Sequence, residues 1–83
     1  MNPFPGALKT LRQRLVGKQT VLSYAIGCTD AAVSFWEAGR RLPGERMMER
    51  IVSVLRFHGG DAGELDELVQ QWRREVERRL DKL

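Results

Sequence analysis

One cysteine, one histidine and one tyrosine are all that the 83 residues contain of those three types. A lone cysteine builds no internal disulfide framework, which fits a reducing cytosol. Neither Cys28 nor His58 has partners at ligand spacing, so no metal site is expected. The same scarcity removes the nucleophile, base and orienter sets of catalysis, and there is no glycine-rich phosphate loop. No enzymatic activity and no cofactor are therefore expected. No run approaches the roughly 18 apolar residues of a membrane span. The opening MNPFPGALKT lacks a charged start and a long apolar core, so it does not read as a signal peptide. These absences point to a cytoplasmic protein without a membrane or a metal partner.

What remains is an ordinary apolar fraction on a chain sized for one domain. Such a chain buries only about 60% of its unfolded surface, so a dimer partner would help its stability. The net charge of +3 is unevenly spread: residues 1–58 carry +5 and residues 59–83 carry −2. The first part is the one that can face a polyanion.

The most informative stretch runs from Lys18 to Arg41. Val21, Leu22, Ala25 and Ile26 form an apolar-periodic run that stops at Gly27, a residue suited to the left-handed turn past a helix end. Thr29 can cap a second helix of about Asp30 to Ala38, whose Val33 and Trp36 recur at a spacing of three and face inward. Gly39 closes that helix as Gly27 closed the first. A glycine-centred turn between two short helices is the layout of a helix-turn-helix. By the same period Asp30, Ala31, Ser34 and Phe35 point outward as candidates to meet base edges. That face carries no positive charge. Asp30 suits the first turn of a helix or the amine of a cytosine, and Ala31 and Phe35 suit thymine methyl groups. Phe35 also fits the edge of a core or a dimer contact.

Gln19, Leu22, Ile26–Gly27, Thr29, Val33, Trp36–Glu37, Gly39–Arg40 and Pro43 together resemble the phage-repressor family of helix-turn-helix proteins, the Cro and Xre type. The resemblance extends from about residue 8 to residue 58. It implies an all-α, five-helix, lambda-repressor-like fold and double-stranded DNA as partner. It also implies that Arg12 pairs with Glu37 as a structural link, and that Gln19 bonds a phosphate and props up a recognition-helix side chain. Arg40 and Arg41 are implied to touch the sugar-phosphate backbone. Lys18, beside the amides of a helix start, suits a phosphate on chemical grounds alone. With Thr29 and the four outward residues, these make the expected DNA-contact set.

The other helices follow from their stripes. Pro3 and Pro5 are expected to keep the first residues out of a helix that then reaches Val16, with Leu8, Leu11 and Leu15 buried. A fourth helix is expected from Pro43 to Phe57, with Met48, Ile51, Val52 and Leu55 inward. Residues 1–60 thus read as the DNA-binding part. Residues 61–83 read as one long helix, opened by an Asp61–Glu64 capping box. Its stripe of Leu65, Val69, Trp72, Val76, Leu80 and Leu83 takes five steps over 18 residues, the period of a straight helix. Its first half can plug the core. Trp72, Val76, Leu80 and Leu83 are expected to form a homodimer, and Arg73, Arg74, Glu75, Glu77, Arg78 and Arg79 to fill the wet faces.

The expected function is sequence-specific DNA binding as a dimer on an inverted-repeat operator, by a transcriptional repressor of bacterial or phage type acting at the nucleoid. The rival is a protein-interaction module or antitoxin that turns the same scaffold and the last helix to a protein partner.

Overall fold

The computed structural model describes residues 2–82 and contains five α-helices. They are α1 (Phe4–Leu15), α2 (Gln19–Ile26), α3 (Asp30–Glu37), α4 (Glu45–Phe57) and α5 (Ala62–Leu80), and no strand occurs among the described residues. The fold is all-α, with a helix-turn-helix at α2–α3 and a long C-terminal helix. No helix is long and apolar enough to cross a membrane among the described residues.

α1 starts earlier than its prolines suggest. Pro5 sits within the first helical turn, where its missing amide has no intrahelical acceptor to lose. This lets Phe4 enter the helix and become fully buried, with its amide bonded to Asn2 Oδ1 at 3.1 Å. Phe4 joins Leu8 and Leu11 in the core, whereas Leu15 is only half-buried. In α2 the expected apolar run divides. Leu22 and Ile26 are buried, and Val21 and Ala25 face solvent. Gly27 takes the left-handed conformation at φ 76°, and Arg50 of α4 donates to the Ile26 carbonyl at 3.1 Å. Arg50, though exposed, thus serves as a cap for α2.

α4 begins at Glu45, two residues later than its proline suggests. Pro43 stays outside the helix because its carbonyl has another partner: the buried indole of Trp72 donates to it at 2.8 Å. The turn into α5 is tight. A Cβ at Gly60 would lie 2.8 Å from the Leu55 carbonyl oxygen, so glycine is required there by space. α5 opens on the expected capping box, in which the Asp61 carboxylate accepts from the Gly63 and Glu64 amides and Glu64 accepts from the Asp61 amide.

α5 packs on α1 and α4 through Leu65, Leu68 and Trp72, so it shares one core with the rest of the chain. Two expectations for this helix need correction. Trp72 is 9% exposed and belongs to the core, not to a dimer surface. Glu75 is 4% exposed rather than wet, held by Arg78 and by Arg79. The helical period brings Glu75 round beside Trp72, and two arginines on the following turn make its burial tolerable. Val76 is half-buried against the core, Leu80 is 60% exposed, and Leu83 lies outside the described residues.

Replacing Trp72 with phenylalanine keeps one aromatic ring, removes the rest of the indole with its N–H, and strands the Pro43 carbonyl. The expected cost is about 1–3 kcal/mol of stability, read from the urea midpoint. An unchanged midpoint would show that the bond contributes nothing net.

Candidate nucleic-acid interface

Glu37 ends α3 with its side chain 3% exposed, and that buried carboxylate organises the site. Arg12 of α1 meets it with both prongs, Nε to Oε2 at 2.9 Å and Nη2 to Oε1 at 2.7 Å. The third nitrogen of Arg12 donates to the Gly17 carbonyl at 2.6 Å, at the end of α1. Gln19, the first residue of α2, adds a bond from Nε2 to Glu37 Oε1 at 3.0 Å. Three helices therefore meet at one carboxylate. Burial pushes the Glu37 carboxyl up, but bonds from Arg12 and Gln19 and the charges of Arg12 and Lys9 outweigh it and hold the carboxyl below its ordinary range.

The outward face of α3 is laid out from its cap. Thr29 is exposed, and its hydroxyl accepts from the Ala32 amide at 3.1 Å, so its oxygen already serves the helix. The Asp30 carboxylate accepts a bond from the hydroxyl of Ser23, which is buried in α2. Asp30 thereby stitches α2 to α3 across the turn, which accounts for an acid on this face. Cys28, in the turn itself, is half-buried; burial first and the charge of Asp30 second push its thiol up, away from reactivity. Ala31 and Ser34 are exposed, and Phe35 is half-buried.

Beyond α3 the chain reverses at Gly39, where φ is 77°. The amides of Arg40 and Arg41 both return to the Phe35 carbonyl, at 3.0 Å and 3.4 Å. Arg40 and Arg41 are exposed, and the Arg41 guanidinium carbon lies 5.2 Å from the Phe35 ring centroid, a cation–π arrangement. Lys18, also exposed, stands at the cap of α2.

Sequence reasoning missed three parts of this arrangement. Ser23 was hidden because a serine within an apolar run reads as an interruption rather than a partner for Asp30. The Phe35–Arg41 stack left no period to read. The third part is a bond from Arg79 Nη2 to the Gly39 carbonyl at 3.0 Å, made across 40 residues of chain. No local pattern announces it.

The arrangement defines a class: a five-helix all-α domain of helix-turn-helix type, with a three-helix ion-pair hub behind a largely uncharged outer helix face. Comparison with protein-family models, with curated proteins and with solved structures returns no match.

Two outcomes follow from this geometry. Arg12→Ala strands a buried carboxylate and is expected to cost on the order of 3 kcal/mol, seen as a sharply lowered melting temperature. An unaltered melting curve would remove the hub from the account. The second outcome concerns acid. Hydrogen bonds from Arg78, opposed by burial and aided by Arg79, bring the Glu75 carboxyl down from 4.5 to about 2. A carboxyl with a depressed folded-state pKa stabilises the fold above its unfolded pKa, and that contribution is lost as pH falls. The urea midpoint should therefore decline between pH 4.5 and about 2, and Glu75→Gln should flatten that decline.

Proposed function

We propose that the protein binds double-stranded DNA sequence-specifically as a dimer and acts as a transcriptional repressor. It would belong to the Cro and Xre type that its helix-turn-helix residues resemble. The observation that carries this reading is the exposed face of α3. Ala31, Ser34 and Phe35 stand outward on a helix fixed from behind by Arg12, Glu37 and Gln19. Exposed cations stand near that helix, Lys18 at the start of α2 and Arg40 and Arg41 in the loop after α3. A face without a cation suits the floor of a major groove, and cations beside it suit the phosphate walls. Gln19 retains amide capacity beyond its bond to Glu37, and with Lys18 it stands at the free amides of α2. Repression would be steric, set by the protein's own concentration.

Two recognition helices in successive major grooves sit about 34 Å apart, so the operator is an inverted repeat. Leu80 is the candidate dimer contact on α5, with Val76, Leu42 and Pro43 lining the apolar hollow beside it. The uncharged face of α3 and the exposed Leu80 also favour a second reading, in which the protein is an antitoxin or interaction module with a protein partner.

Selection from a random duplex pool separates the two. The DNA reading expects an inverted repeat, bound with a slope of log affinity against log salt of about −4 or steeper. That slope counts Lys18 and Arg40 from each protomer at about 0.9 per phosphate contact. Recovery of no motif, with weak binding at low salt only, would favour the protein partner and make a pull-down the next step. Leu80→Asp is expected to convert the dimer to monomer in sedimentation and to weaken operator binding. A dimer that survives it forms elsewhere.

A further inference from the structure

We propose that Arg41, laid on the ring of Phe35, reads a guanine base in each half-site rather than only touching the backbone. This inference rests on the DNA-binding reading and deepens it. The first ground is chemical. The outward groups of α3 are two apolar side chains, Ala31 and Phe35, the hydroxyl of Ser34, and the carboxylate of Asp30, which is already bonded to Ser23. None of them donates two hydrogen bonds side by side. Guanine presents two acceptors in the major groove, O6 and N7, and an arginine fork matches both. Arg41 brings that fork to this face.

The second ground is geometric. Phe35 follows Ala31 by one helical turn, so the exposed Arg41 guanidinium over its ring lies beside the outward face of α3. The Arg41 backbone is fixed as well. Its amide and that of Arg40 are tied to the Phe35 carbonyl, and Arg79 holds the Gly39 carbonyl just before them. A guanidinium held over a ring by a cation–π contact keeps N–H groups free to donate elsewhere. An arginine held in that way loses little freedom on binding, which favours a geometrically demanding contact. A phosphate contact demands no such support.

The experiment is pool selection with the wild-type chain, Arg41→Lys, Phe35→Leu and Lys18→Ala, followed by titration of the recovered operator and its single-base variants. The wild type is expected to show one guanine per half-site that Arg41→Lys relaxes, with discrimination at that position falling about tenfold to a hundredfold. Phe35→Leu, which keeps the charge and an apolar side chain, should relax the same position. Replacing that guanine with 7-deazaguanine removes N7 and should weaken the wild type but cost Arg41→Lys little further. Lys18→Ala should weaken all sequences alike. If the wild type selects a motif and Arg41→Lys selects the same one with equal discrimination, Arg41 is a backbone contact and this inference is overturned, while the DNA-binding reading stands. If the wild type selects no motif, both are overturned.

Discussion

A carboxylate buried at the end of a helix must be neutralised by partners that the fold itself supplies. Here the carboxylate of Glu37 takes both prongs of Arg12 and the amide of Gln19, and so fixes α1, α2 and α3 relative to one another. The pair need not stabilise the fold more than an apolar cluster of equal volume, because desolvating two charges offsets most of their attraction. Its stronger effect is geometric. A bidentate contact tolerates little rotation, so the angle between α1 and α3 is set by hydrogen bonds as well as by packing, and the Gln19 bond ties α2 to the same carboxylate. Gln19 makes the hub continuous with the outside, since it stands at the exposed start of α2 while bonding a buried group.

The loop after α3 depends on the last helix. Arg79 holds the Gly39 carbonyl and the Trp72 indole holds the Pro43 carbonyl, so both ends of the segment carrying Arg40 and Arg41 are pinned by α5. Glu75 completes the clamp by holding Arg79 in turn, at 3.2 Å. This gives the long helix a task within one protomer, separate from any contact with a second. It also gives the acid among the buried residues of α5 a structural role. Removing its charge would release the arginine that positions the loop.

Much of this was legible in the sequence, and the limits have physical causes. The helix-turn-helix could be read because its signals are local: a glycine past one helix, a threonine cap before the next, and an inward spacing of three between Val33 and Trp36. The capping box at Asp61 and Glu64 was legible for the same reason. The start of α1 was misjudged because proline is a breaker only beyond the first turn, and Phe4 was lost with it. Trp72 satisfied two readings at once, core and partner surface, and periodicity does not distinguish them. The indole bond to Pro43 decides, and it spans 29 residues. Glu75 and Arg79 were both taken for solvated charges. Each finds its partner through tertiary packing, to which hydrophobic periodicity is blind.

Under the proposed DNA-binding reading, an α3 face without a cation has a consequence for how affinity and specificity divide. Long-range attraction to DNA comes from charge of any arrangement, and it is the same for every sequence. Where that charge sits beside the helix, as with Lys18 and Arg40, non-specific binding is limited by the few phosphates within reach. The face without a cation then adds affinity only where the groove offers complementary methyl groups and polar edges. Asp30 sharpens the contrast. Its charge opposes any phosphate brought too near, yet its bond to Ser23 keeps it in place as part of the turn. A small regulator whose concentration sets its occupancy gains from weak background binding, because competing genomic sites then withdraw less of it.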